Sequence, residues 1–196
     1  MMDDTQWRYL IAGRIEDPHG RRPAHTSVIL GYDRDGIGYG LKVPTAPDGS
    51  FVTQALSPGT YMLALIPTTE PPALHPVPLA LEIVRLGNAD VTGVRLSVRR
   101  DVTVRGEVRT ADGAAPSGTL AVTSCLDVDG VRHVDCRSAS VAADGTFELK
   151  NPFGPRVLTA GSGRSIKVLL DGRDVTQTSV DFSAHPKAHL QVVLLP

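Results

Sequence analysis

Aromatic residues make up only 5% of this 196-residue chain, and cysteine occurs twice. With so few rings, any core must be built mainly from Val, Leu and Ile. A charge excess is also missing: 20 Lys plus Arg stand against 21 Asp plus Glu, a formal net charge of −1. That removes most of the electrostatic case for nucleic acid or an anionic membrane surface as partner. Long apolar runs are lacking too. The longest, around 77–84, is interrupted by Pro78 and Glu82 and is far too short to span a bilayer. No window carries an i, i+3, i+4, i+7 apolar stripe long enough for a helix. The opening MMDDTQWRYL has neither the basic nor the apolar region of an export signal. On this reading the chain is soluble and untargeted as given, or a piece of a longer secreted protein.

What is present points to a globular, turn-rich chain. The apolar fraction is 41% and the charged fraction 21%, with 19 Gly and 15 Pro. Two halves repeat one another. Ile11-Ala12-Gly13-Arg14-Ile15 is matched by Val104-Arg105-Gly106-Glu107-Val108. Asp33-Arg34-Asp35-Gly36 is matched by Asp127-Val128-Asp129-Gly130. Pro47-Asp48-Gly49-Ser50-Phe51 is matched by Ala143-Asp144-Gly145-Thr146-Phe147, and Val94, Leu96 and Val98 by Leu190, Val192 and Leu194. From Ile11 to Val104, Asp33 to Asp127, Pro47 to Ala143 and Val94 to Leu190 the offsets are 93, 94, 96 and 96. Matches in one order at a nearly constant offset mark an internal repeat. Its boundary falls near Arg99-Arg100, giving domains 1–98 and 99–196.

Within each half the pattern is strand after strand. Trp7, Tyr9, Ile11 and Ile15 sit at period two, with Gly13 interrupting the apolar face. Val102, Val104, Val108 and Gly106 repeat this. Such a glycine suits a bulge or a close backbone approach. Asp-Gly at 35–36, 48–49, 112–113, 129–130 and 144–145 supplies the positive φ of tight turns. Gly49 and Gly145 are expected there. Short strands with turns every ~8–12 residues predict a sandwich or barrel. Residues 66–78 break the rhythm with five prolines, 67, 71, 72, 76 and 78, and read as an extended loop.

The candidate chemistry is thin. Cys125 and Cys136 flank the 127–130 turn. A two-residue turn there places Cys125 opposite Val134, with Cys136 a diagonal neighbour on the same face. A disulfide and two separate small core residues both fit. Cys125, His133 and Cys136 fall short of a zinc set, since no Cys-x-x-Cys pair exists and only three ligands lie close together. The two Asp-x-Asp-Gly turns lack the glutamate of a calcium loop, with Pro44 and Ser138 at its position. Gly161-Ser162-Gly163-Arg164-Ser165 is neither a phosphate loop nor a nucleophile elbow. The six histidines, at 19, 25, 75, 133, 185 and 189, are scattered. No catalytic residue, cofactor or metal ligand is expected. What folding does not demand is the pair Tyr32 and Tyr39, flanking the 33–36 turn, and the proline loop with Pro71, Pro72, His75 and Pro76. These are the candidate ligand contacts.

The order (V/I)-x-G-x-(V/I), D-G-(S/T)-F, L-x-P-G-x-Y, D-V-x-G-V-x-L resembles the carboxypeptidase regulatory-like domain, a transthyretin-like β-sandwich of bacterial secreted and surface proteins. The first half matches it at Ile11 to Ile15, Asp48 to Phe51, Leu56-Ser57-Pro58-Gly59-Thr60-Tyr61 and Asp90-Val91-Thr92-Gly93-Val94-Arg95-Leu96. The second half keeps Val104 to Val108 and Asp144 to Phe147. Where the tyrosine motif belongs it has Asn151-Pro152-Phe153-Gly154-Pro155-Arg156. Residues 167–176 are similar to the C-terminal signature of tandem bacterial proteins of this kind. The resemblance implies an all-β chain of two tandem Greek-key sandwiches, about seven strands each, bordering on carbohydrate-binding-like folds. It implies a non-enzymatic interaction or spacer module at an extracellular, periplasmic or cell-surface location. The partner would be a protein or, if the two tyrosines form a platform, a glycan; neither nucleic acid nor membrane insertion is expected.

Overall fold

A computed structural model describes residues 8–17, 26–34, 37–68, 77–99, 102–129, 131, 135–161 and 166–196. Among the described residues its regular structure is almost all β-strand. By proximity the chain divides into two compact units, Met1–Arg100 with Asp129–Val134, and Asp101–Val128 with Asp135–Pro196. Among the described residues no helix is long and apolar enough to cross a membrane.

The first unit holds β1 (Ile11–Glu16), β2 (Thr26–Arg34), β3 (Ile37–Val43), β4 (Ser50–Val52), β5 (Gly59–Pro67), β6 (Ala80–Leu86) and β7 (Val91–Ser97). They form a three-stranded sheet, β4-β1-β7, and a four-stranded sheet, β3-β2-β5-β6. Period-two patterning gives each sheet one apolar face, and burial brings the two faces together. Ile11, Ile15, Phe51 and Leu96 of the first meet Val28, Leu30, Leu63, Leu65 and Val84 of the second in one core. The second unit holds β8 (Thr103–Thr110), β9 (Ala121–Leu126), β10 (Cys136–Ser140), β11 (Thr146–Lys150), β12 (Arg156–Ala160), β13 (Ile166–Leu170), the two-residue β14 (Arg173–Asp174) and β15 (Leu190–Leu194). Their sheets run β11-β8-β15-β13-β14 and β10-β9-β12. Val104, Phe147, Val168 and Val192 pack against Val122, Leu158 and Ala160 in a separate core. A short 3-10 turn over Phe182–Ala184 adds the Phe182 ring to it.

The internal repeat has a physical counterpart in the strand pairing. Gly13 lies opposite Phe51 and beside Val94; Gly106 lies opposite Phe147 and beside Leu190. A Cβ on Gly13 would stand 2.6 Å from the Phe51 ring and 2.3 Å from the Val94 carbonyl oxygen. On Gly106 it would stand 2.4 Å from the Phe147 ring. In both units a phenylalanine lies where a side chain on the glycine would be, which is the close approach the interrupted apolar face predicts. A register irregularity also falls between Ile11 and Gly13.

The two Asp-Gly-(Ser/Thr)-Phe turns are built alike. The Gly49 amide donates to the Ala46 carbonyl at 3.0 Å, and the Gly145 amide to the Ala142 carbonyl at 2.9 Å. Only the glycine of each pair has positive φ, 85° and 91°. The aspartate instead accepts from the backbone and hydroxyl of the residue two ahead, Ser50 and Thr146.

One strand departs from the repeat. β6 pairs with β5 in the first unit, whereas its counterpart β13 pairs with β15 in the other sheet of the second unit. The first strand is also shorter than the sequence pattern suggests: Tyr9 makes only an isolated bridge to Leu56 before β1 begins.

Candidate functional site

β2 and β3 pair antiparallel with Tyr32 directly opposite Tyr39, the placement expected of residues flanking one turn. The turn residues Asp35 and Gly36 lie outside the described residues, as do Trp7, Pro71, Pro72, His75 and Pro76. Tyr32 is not laid open as a platform. It packs against the core of the first unit, and its ring centroid is 6.2 Å from that of Tyr61 at an interplanar angle of 57°. Tyr61, near the start of β5, donates its hydroxyl to the Ser57 carbonyl at 2.8 Å, pinning the turn that precedes the strand. Burial, and then the neighbouring Tyr32, push the Tyr61 phenol above its ordinary value.

The second unit builds the same corner from different chemistry. By the pairing of β9 with β10 and β12, Leu126 stands opposite both Asp135 and Arg156. These are the places that Tyr32, Tyr39 and Tyr61 hold in the first unit. Arg156 is fully buried, at 0% exposure. Its Nε donates to the Phe153 carbonyl at 2.8 Å, and Nη1 donates to the Ser124 and Asp135 carbonyls at 3.2 and 3.1 Å. Nη2 meets the Asp135 carboxylate, whose other oxygen lies 2.6 Å from Arg137. Burial pulls the Arg156 guanidinium below its ordinary value, while the Asp135 carboxylate beside it pushes the other way. The missing tyrosine of the second half is thus replaced by an arginine that also ties down the turn before its strand.

On the opposite face of this sheet, Cys125 and Cys136 are joined in a disulfide, their Cα atoms 4.1 Å apart. They pair directly, not diagonally. This register differs by two residues from the one that a two-residue turn at Asp129-Gly130 sets; the last described rung is the Leu126 amide to the Asp135 carbonyl at 3.0 Å, and Gly130 and residues 132–134 lie outside the described residues. Thr123 and Ser138 continue the same face with a hydroxyl pair at 2.9 Å. The matching register positions in the first unit are Gly31 and Gly40.

A further surface was not legible in advance. β5 is apolar on both faces. Tyr61, Leu63 and Leu65 point into the core, whereas Met62 and Ala64, each 4% exposed, are buried outside it. The pairing sets Ile29, Ala64 and Leu81 in one row and Gly31, Met62 and Ile83 in the next. Lys42 borders the first row beside Ile29, and Arg85 lies one step beyond the second beside Thr60. Among the described residues no group of three or more His, Cys, Asp or Glu could hold a metal ion.

No family model matches the chain, and no curated protein matches it. Solved structures resemble it at low identity. A TIE protein from Bacillus anthracis is 9% identical with a TM-score of 0.30, the match covering 97% of this chain and 33% of that one. A DUF3823 family protein from Parabacteroides merdae is 14% identical with a TM-score of 0.33, covering 96% and 98%. A Streptococcal ancillary pilin is 10% identical with a TM-score of 0.32, covering 95% and 68%. The chain spans a third of the length of the first of these. At such scores the likenesses assign neither a family nor an activity.

Proposed function

We propose that the chain is a non-enzymatic module of a bacterial surface or exported protein, which spaces its neighbours and binds a protein partner. The observation that carries this reading is the second apolar face of the β3-β2-β5-β6 sheet. An antiparallel sheet that closes one sandwich needs one apolar face and presents the other to water. Here Ile29, Ile66, Leu81 and Ile83 lie half-buried around Met62 and Ala64 on the outer side. The half-buried Ile29, Ile66, Leu81 and Ile83, with Lys42 and Arg85 at the rim, are the part of this face that meets a partner, and an apolar centre with a charged rim is the composition of a protein-binding surface. The resemblance to carboxypeptidase regulatory-like sandwiches supports the same reading. The polar side chains of the turns and of the second unit's corner serve the fold: Asp48 and Asp144 hold turns, and Arg156 holds a corner.

A glycan partner at Tyr32 and Tyr39 is the second reading. It is weakened because the Tyr32 ring is committed to Tyr61 and the core. The test is binding of the full chain to a panel of exported proteins and of glycans. The panel is probed with wild type, Leu81→Lys/Ile83→Lys, Tyr39→Ala, and a chain with Pro71, Pro72 and Pro76 changed to Ser. Protein binding that is lost in the Leu81→Lys/Ile83→Lys variant and kept in the others is expected. Glycan binding lost in Tyr39→Ala, or turnover of any substrate, would overturn the proposal.

A further inference from the structure

The corner of the second unit combines two features that its counterpart in the first unit lacks. One is a buried ion pair, Arg156 with Asp135; the other is a cross-strand disulfide, Cys125 to Cys136. They are neighbours in the chain as well as in space. Cys136 is the first residue of β10, and Asp135 and Arg137 flank it. β10 is an edge strand, hydrogen-bonded within its sheet to β9 alone. Side chains alternate along it, so Cys136 faces outward while Arg137, opposite the buried Ser124, faces inward with Asp135.

We propose that this corner is redox-responsive: the Cys125–Cys136 bond holds Asp135 against the buried Arg156, and its reduction opens the corner. A guanidinium removed from water is tolerated only while a carboxylate and well-placed carbonyls satisfy it. Of the acceptors around Arg156, the Ser124 carbonyl belongs to the central strand β9, and the Phe153 carbonyl lies three residues before Arg156 itself. The two that Asp135 supplies come from the residue leading into the edge strand. Among the described residues, the Leu126–Asp135 rung, the disulfide and the ion pair to Arg137 on the same edge strand hold that residue at this end of the sheet, and of these only the rung and the disulfide tie it to β9. The first unit fills the corresponding positions with tyrosines and glycines, and the chain's two cysteines both lie in the second, so only the second unit can respond.

The reaction needs a reductant, and a dithiol is the class that fits. Its thiolate attacks one sulfur of the disulfide, giving a mixed disulfide and one free cysteine. Its second thiol then displaces the other cysteine. One S–S bond in the protein is broken, two S–H groups form, and the dithiol departs as its own disulfide. Both cysteines are only part-buried, on the outward face of their sheet, which leaves the bond open to attack.

The experiment is amide hydrogen exchange on the full chain, oxidised and after treatment with dithiothreitol, with free thiols counted. The Leu126 amide, bonded to the Asp135 carbonyl, reports the corner; the Arg156 amide, bonded to the Val180 carbonyl, reports the strand that carries the guanidinium; and that of Val108, bonded to the Gly145 carbonyl, reports the rest of the unit. Reduction is expected to lower protection at Leu126 and Arg156 by roughly a hundredfold, the scale of breaking a buried ion pair, and to leave Val108 within about threefold. A second arm replaces the ion pair by Asp135→Leu/Arg156→Met. There the loss on reduction should shrink by at least about tenfold, because no buried charge is left to strand. A third arm, Cys125→Ser/Cys136→Ser without reductant, should reproduce the reduced wild type and stands in if the second fails to fold. Unchanged protection at Leu126 and Arg156 in the reduced protein overturns the proposal. So does an equal loss at Val108, which would mean that the disulfide stabilises the whole unit and not this corner.

Discussion

Four glycines do similar work and are not equally replaceable. Gly49 and Gly145 both have positive φ, a region in which an L side chain is strained. A Cβ on Gly49 comes no closer than 3.4 Å to the Ile15 carbonyl oxygen, whereas on Gly145 it stands 2.5 Å from that of Val108. Gly49→Ala is therefore expected to cost about 1 kcal/mol. Gly145→Ala and Gly13→Ala, which force backbone apart, should each cost more than about 2 kcal/mol. Urea midpoints of the three variants check the order, and equal shifts would show that the two turns do not differ as described. At this scale the sequence was informative wherever a residue's demand is local. The interrupting Gly13 and Gly106, and the Asp-Gly pairs, announce backbone requirements that neighbours in the chain already imply. Arg156 announces nothing. An arginine after a turn reads as a solvated charge, and its burial depends on carbonyls from Ser124, Asp135 and Phe153, which only the folded sheet assembles.

At the level of elements, turns at strand ends share one device. Asp48, Asp144 and Asp174 accept from Ser50, Thr146 and Thr176, and those hydrogen bonds hold the three carboxyls below their ordinary value of 3.8. A carboxyl with a depressed folded value binds fewer protons folded than unfolded. The stability it contributes is therefore complete above the unfolded value and is lost as pH falls through the folded one. The urea midpoint should drop between about pH 5 and about pH 2, and drop less steeply in Asp48→Ala/Asp144→Ala. Parallel curves for variant and wild type would remove these turns as the origin of acid sensitivity. Hairpins and their order could be read from period-two runs and turn residues. Sheet membership could not. Ala80-Leu81-Glu82-Ile83-Val84 and Ile166-Lys167-Val168-Leu169-Leu170 both present an apolar face to a core, and that requirement is met equally in either sheet. The choice of β5 by one and β15 by the other is decided by packing. For the same reason the outer apolar rows around Met62 were hidden in a run that reads simply as a buried strand.

The whole molecule is two cores joined near Arg99, each drawing on both of its own sheets. Residues 101–196 expressed alone should show β-type circular dichroism and one cooperative urea transition, since Val104, Phe147, Val168 and Leu190 pack without help from the first core. A non-cooperative, featureless chain would sink that independence and leave the all-β architecture standing.

In each unit the first strand and the last lie side by side and run the same way: β1 beside β7, from Ile11 with Val91 to Glu16 with Ser97, and β8 beside β15, from Gly106 with Leu190 to Thr110 with Leu194. A pull on the two ends of a unit therefore drags these strands past each other along their length. The hydrogen bonds between them are loaded together, in shear, instead of being opened one rung at a time as they would be at the end of an antiparallel hairpin. Under tension each sandwich yields only when that whole seam gives way, so a tether built of such units keeps its length up to a threshold force and then lengthens in steps.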